Sequence, residues 1–150
     1  MINARAETIT EKPAFRRPLV SKRCIIPADS FYEWKRLDSK TKIPMRIKLK
    51  SSALFAFAGL YEKWSTHQGY PLYTCTIITT EPNEFMKDIH DRMPVILAHD
   101  HEKEWLNPKN TSPDYLQSLL LPYDEAYQVS SLVNSPKNNS AELLDAENHM

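Results

Sequence analysis

The sequence predicts an antiparallel α+β fold: a strongly curved sheet with a few short helices. Three observations carry that expectation. Strand-like runs dominate residues 23–80, adjacent runs have short connections, and the clearer helix signals come only after Thr80. The 150 residues and 41% apolar content suit one domain with a real core. With only 2 glycines and 11 prolines, turns must be proline-led or polar.

Residues 1–22 (MINARAETITEKPAFRRPLVSK) are polar and proline-interrupted, a weak helix at best. RCII reads as a short strand, PADS as a turn, FYEWK as a second strand and RLDSKTK as a loop. PMRIKLK alternates, with Met45, Ile47 and Leu49 on one face and Arg46, Lys48 and Lys50 on the other, as in a half-buried strand. ALFAFAGLYEKW and YPLYTCTIITT are longer strands joined by a polar turn at Gly69. TEPNEFMKDIH, with a threonine cap, an early proline and Phe85 four residues before Ile89, predicts a short helix ending near His90. MPVIL returns to strand. Asp100 caps a brief helix through HEKEWL, Ser112 and Pro113 open another over SPDYLQSLLL, and AYQVSSLV is a last strand. From Ser135 the chain is polar and tail-like.

Charge excludes little. The net is zero, but residues 1–50 hold 13 Lys/Arg against 5 Asp/Glu, an excess of +8, balanced by −8 in residues 51–150. Such asymmetry either marks a face for a polyanion or pairs internally across the fold. No apolar run approaches the roughly 18–20 residues of a membrane span, and no secretory core opens the chain, so a cytoplasmic setting is expected. Cys24 and Cys75 read as buried reduced thiols rather than a disulfide or a zinc signature. Two glycines cannot build a phosphate loop, His99-Asp-His101 lacks a third ligand at metal spacing, and no serine sits in a nucleophile elbow, so neither metal nor cofactor is expected. Trp34 and Trp64 could stack on unpaired bases but as strand residues suit a core.

Three polar groups stand beside buried-looking structure. Glu33, between Tyr32 and Trp34, would lose hydration among aromatics and titrate nearer neutrality; the plainer reading makes it the solvent-facing alternate of that strand. His90 has Asp88, Asp91 and Arg92 close by, which suits an acid/base ring; the plainer reading is a helix-end histidine complementing the dipole. In NARAET, Asn3 and Arg5 alternate with Ala4 and Ala6, and an amide and a guanidinium on one face could orient a reacting group and hold an anion; alone, this is a weak signal.

Taken together, NARAET (3–8), RCIIPADSFYEW (23–34), TTEPNEFMKDIHDRMPVIL (79–97) and VSSLVNSPKNN (129–139) resemble, in order, the signature blocks of the SRAP (SOS response-associated peptidase) family. The resemblance implies one domain over residues 1–139, with a curved, barrel-like antiparallel sheet, followed by a polar tail at 140–150. It implies processing of abasic sites in single-stranded DNA, in a cytoplasmic, nucleoid-associated DNA damage context. The family's N-terminal cysteine attacks the ring-opened sugar as a Schiff base and then a thiazolidine, a lyase-like chemistry that leaves a covalent protein–DNA link; the name peptidase reflects removal of the initiator methionine. By motif, Asn3 would orient the nucleophile, Glu33 would move protons during Schiff-base formation, and His90 would assist ring opening and crosslink reversal. Arg5 would contact the DNA backbone, with Arg92 and Thr79 as further lesion or phosphate contacts. The expected partner is single-stranded DNA, with no membrane or small-molecule cofactor, and the expected state is a monomer.

One departure bears on activity. The family opens on Met-Cys-Gly-Arg and a tryptophan-containing block, whereas here Met1 stands two residues before Asn3. Cys24 cannot substitute, because its nitrogen is in a peptide bond. The expectation is therefore an N-terminally incomplete domain with impaired chemistry, whether a gene remnant, a fragment or a mis-started frame; a Schiff base through the Met1 amine is a reduced alternative. Two other readings stand beside it: a peptidase or amide hydrolase using Glu33 and His90, and a non-catalytic single-stranded DNA-binding remnant.

Overall fold

The computed structural model describes residues 3–50 and 54–124, and the backbone of 127–129. The tail at 140–150 and all but the first residue of VSSLVNSPKNN lie outside the described residues.

Two sheets face one another across a shared core. In the larger, β1 (Asn3–Arg5), β6 (Pro71–Thr80), β5 (Phe55–Ser65) and β2 (Arg23–Ala28) lie in that order, with the short β7 (Met93–Pro94) also on β6. The smaller orders β3 (Phe31–Arg36), β4 (Lys42–Lys48) and β8 (Tyr127–Val129). β5 explains the layering. Its alternate residues Phe55 and Phe57 meet Met45, Ile47, Met86 and Ile96 in a core that includes the smaller sheet, while Ala58 and Leu60 belong to a second core with Leu19, Trp105 and Leu116. Both faces of the strand are thus covered, which is why ALFAFAGL reads as a continuous apolar run. The helices α1 (Pro13–Ser21), α3 (His99–Leu106) and α4 (Pro113–Ser118) each contribute to that second core. α2 (Glu84–Lys87) contributes Met86 to the first. Arg23 ties the second layer together by donating to the carbonyls of Leu19, Val20, Trp105 and Asn107 at 2.6–2.8 Å, taking up acceptors at the ends of α1 and α3.

The structure corrects several local expectations. β1 pairs parallel to β6, so the larger sheet is mixed rather than purely antiparallel. The "weak helix" is a nine-residue helix, begun at Pro13 and carrying Pro18 within it. The cap of α2 is Asn83, whose side chain accepts from the Met86 N–H, not a threonine, and the helix ends at Lys87. α3 has no side-chain cap, and Asp100 lies inside its first turn. Of MPVIL only Met93–Pro94 is strand, followed by an isolated bridge at Ile96. Cys75 is exposed and Cys24 partly so; both are free thiols. Arg46, expected to face solvent, is 4% exposed and donates to the Ser30 hydroxyl, 3.0 Å away.

One side chain joins otherwise separate segments. The Arg92 guanidinium donates to both carboxylate oxygens of Glu7 at 2.9 Å, to the Thr79 carbonyl at 2.8 Å and to the Thr79 hydroxyl at 3.1 Å. Glu7, in the 3-10 turn that follows β1, also accepts from the Glu81 N–H at 3.1 Å. Arg92→Ala removes this fork and is expected to cost about 2 kcal/mol in denaturant unfolding. The Arg92 fork holds the Glu7 carboxyl below its ordinary 4.5. Its contribution is therefore full above the unfolded carboxyl's range and lost as pH falls through the lower folded value. Unfolding midpoints followed down from about pH 6 should show that loss in the native chain and a flatter acid limb in Glu7→Gln.

Candidate functional site

Asn3, Arg5, Glu33, Thr79, His90 and Arg92 all line one cleft of about 440 Å³, with Phe31, Phe57, Ile77, Met93 and Pro94 among its apolar lining. They come from four stretches of chain, and the fold accounts for each position. Ala4 is fully buried, so its neighbours Asn3 and Arg5 project to the other, exposed face of β1. Register pairs Arg5 with Thr79, and Thr79 with Pro94, setting the three stretches side by side.

Glu33 reverses the plainer sequence reading. Phe31 packs edge-on against Phe55 and Phe57, with ring centroids 6.4 and 5.9 Å apart, which fixes the inner phase of β3. Glu33 is two residues on and shares that phase, so it is half-buried, whereas Tyr32 and Trp34 are 56% and 51% exposed. Neither aromatic is core. Burial pushes the Glu33 carboxyl above its ordinary range; the His90 ring and the Trp34 backbone N–H pull it down, and Asp91 adds to the push.

His90 follows α2 in a turn, its N–H bonded to the Met86 carbonyl at 2.8 Å. Nε2 lies 3.9 Å from Glu33 Oε2. Nδ1 meets one donor, the Arg92 backbone N–H at 3.1 Å, and two acceptors, the Arg92 carbonyl and the Asp91 carboxylate, each at 3.2 Å. A lone pair or a proton at Nδ1 thus finds a partner, so both states of the ring are supported. The pair can pass a proton to and from a molecule in the cleft, with Glu33 nearer neutrality than an exposed carboxylate.

The cations differ in availability. Arg5 is exposed, with no ion pair among the described residues. Arg92 lines the cleft, but its guanidinium is engaged by Glu7 and Thr79, so here it braces the site. Sequence reasoning missed Glu7. The signal was present: Glu7 continues the alternation of Asn3 and Arg5, and an exposed acid beside two site residues is a natural partner for an arginine elsewhere. Neither cysteine lines the cleft, and His99-Asp-His101 stands apart from it; no group of three or more His, Cys, Asp or Glu is placed to share a metal among the described residues.

Residues 1–136 match the family model described as SOS response associated peptidase (SRAP). The chain is 97% identical to the abasic site processing protein YoaM of Bacillus subtilis (strain 168), an alignment covering 100% of this chain and 68% of that protein. It is 33% identical to the abasic site processing protein HMCES of Xenopus tropicalis, over 96% of this chain and 49% of the relative. A crystal structure of a Bacteroides thetaiotaomicron protein superposes with a TM-score of 0.81 at 37% identity, covering 95% of this chain and 64% of that one. The chain therefore spans about two thirds of its bacterial relatives and half of the vertebrate one. On the family match and the identity to these relatives, the chain belongs to the SRAP family.

Proposed function

We propose that the cleft receives an abasic site in single-stranded DNA, and that Glu33 and His90 move protons as the sugar opens to its aldehyde. The observation that carries this reading is the Glu33–His90 pair at 3.9 Å, in a cleft that also holds the Asn3 amide and Arg5, which forms no ion pair among the described residues. The names of the relatives point the same way. A baseless nucleotide is a sugar flanked by phosphates. Arg5 supplies charge for a phosphate, Asn3 hydrogen bonds for sugar hydroxyls, and Phe31, Phe57 and Ile77 an apolar wall.

Ring opening needs a base and an acid together. The anomeric O–H gives its proton to the Glu33 carboxylate, the bond from the anomeric carbon to the ring oxygen breaks, and that oxygen takes a proton from His90 Nε2. Return of the proton to His90, 3.9 Å away and so by way of one bridging water, resets the pair, and the product is the free aldehyde, the electrophile that an amine condenses with. Among the described residues no thiol or lysine lines the cleft. In this reading the nucleophile of any covalent adduct comes from outside them, and the described cleft recognises and opens the sugar.

The 150-residue chain is expected to bind a single strand carrying a tetrahydrofuran abasic analogue about tenfold more tightly than the intact strand, with both affinities falling steeply as salt rises. Equal affinity for the two would remove the lesion from the proposal. With an authentic abasic strand and a saturating aminooxy probe, ring opening limits labelling. The chain should then speed labelling, and Glu33→Gln or His90→Ala should slow it by about tenfold or more. Lesion preference without acceleration would leave a binding role alone.

The pH profile tests the pair itself. Glu33 must be ionised to take the proton, and burial holds its carboxyl above 4.5, so the acid limb of labelling should lie above that value. His90→Ala removes a group that lowers the Glu33 value, so the residual limb should move to higher pH. An unmoved limb would show that another group sets it.

A further inference from the structure

His90 lies on a segment whose base is closed by one buried side chain. Asn83, 6% exposed, opens α2. Its Oδ1 accepts from the Met86 N–H at 2.8 Å, and its carbonyl accepts from the Lys87 N–H at 3.0 Å. Its own N–H donates to Met93 Sδ at 3.3 Å, and its Nδ2 donates to the Tyr123 carbonyl. We infer that Asn83 is a positioning residue for the acid/base pair: its amide ties the His90 segment to the sheet that carries Glu33 and sets the separation across which the two exchange a proton. This rests on the reading of Glu33 and His90 as the pair that opens the sugar.

Three features carry the inference. A hydrogen-bonded chain runs from Asn83 to His90: the Asn83 oxygen holds the Met86 N–H, and the Met86 carbonyl accepts the His90 N–H at 2.8 Å. A four-residue helix has little stability of its own, so its cap decides whether this turn forms. The other end of the amide reaches the smaller sheet. Tyr123 packs against the core that includes Phe31 and stands four residues before β8, and β8 pairs with β4, which pairs with β3 and sets Met45 opposite Glu33. The Met93 contact closes the far end of the segment, beside Arg92, whose backbone N–H and carbonyl meet His90 Nδ1.

The residue type fits this task. The position needs an acceptor toward α2 and a donor toward Tyr123, and a side-chain amide offers both. Serine keeps an acceptor for the cap but has no group that reaches Tyr123. Aspartate turns a second oxygen toward a carbonyl. Capping alone would be served by either. The buried donor aimed at Tyr123 is the part that capping leaves unexplained.

The experiment follows aminooxy labelling of an authentic abasic strand with the 150-residue chain, Asn83→Ser and Ser112→Ala. Ser112 caps α4 in the other core layer, so its loss destabilises the fold without touching the His90 segment. Asn83→Ser should slow labelling at saturating chain by about tenfold, while affinity for the tetrahydrofuran strand changes by less than about twofold. Ser112→Ala should lower the unfolding midpoint and leave both readouts at native values. The acid limb separates positioning from stability. Glu33 shares its surroundings with His90, Asp91 and Arg92 from this segment, Arg5 from β1, and Arg36 and Lys42 from its own ribbon. His90 lowers the Glu33 value more than Asp91 raises it, so a displaced segment moves the limb to higher pH in Asn83→Ser. Slower labelling with an unmoved limb assigns Asn83 a structural role alone and overturns the inference. Native labelling rates and an unmoved limb in Asn83→Ser also overturn it and leave the acid/base reading intact. No acceleration by the native chain overturns both. If Asn83→Ser does not fold, amide hydrogen exchange in the native chain decides. The Met86 and His90 N–H groups should exchange about 100-fold or more slowly than in an unstructured peptide, and unprotected exchange overturns the inference.

Discussion

The Arg92 fork is the constraint on which the site depends. The cleft is assembled from β1, β3, the end of β6 and the loop after α2, stretches far apart in sequence. β1 has three residues and α2 four, too little local structure to fix an angle alone. One guanidinium reaches the turn after β1 through Glu7 and β6 through Thr79, and its own backbone N–H donates to the His90 ring. A planar group with five donors is the side chain suited to that task, which a lysine could not reproduce. The arrangement also explains an apparent waste: a cation lines a proposed anion cleft yet is spent on a glutamate. The fork holds in place the turn after β1 and the end of β6, which line the cleft.

Glu33 shows the opposite economy. A strand residue in the inner phase is normally apolar, and a half-buried carboxylate there is destabilised by lost hydration. No ordinary packing need places it there, since Phe31 already anchors that end of β3 against Phe55 and Phe57. His90, 3.9 Å away, offsets part of the cost. A local rule broken in a cleft, beside a second titratable group, is the pattern of a working site rather than of a structural one.

The parts of this site that can be read from the sequence are those set by short-range periodicity. The exposed phase of Asn3 and Arg5 followed from alternation with Ala4, and the β5–β6 hairpin followed from two apolar runs around Gly69, whose φ of 80° suits the turn. Alternation failed where it had to say which phase faces in. At FYEWK the aromatics looked like the core phase, but the deciding contacts are Phe31 with residues 24 and 26 positions away, which no local pattern contains. Arg46 failed for the same reason: its strand is covered on both faces, so strict alternation did not mean a solvated side. The parallel pairing of β1 with β6 joins residues some 74 apart, and the Glu7–Arg92 fork spans 85.

The same distinction changes the meaning of the charge excess. The +8 of residues 1–50 suggested a broad basic face, yet three of its thirteen cations are already engaged within the fold. Arg23 caps carbonyls of α1 and α3, Arg46 is buried beside Ser30 and Asp29, and Lys22 pairs with Glu62. Around the Glu33–His90 pair, the cations left without a partner among the described residues are Arg5 on one side and Arg36 and Lys42 on the other. A polyanion feels the structurally bound charges only at long range, where salt screens them. It can exchange counterions only for contacts with the free ones. The free cations nearest the acid/base pair are therefore the ones that an anion in the proposed site would meet.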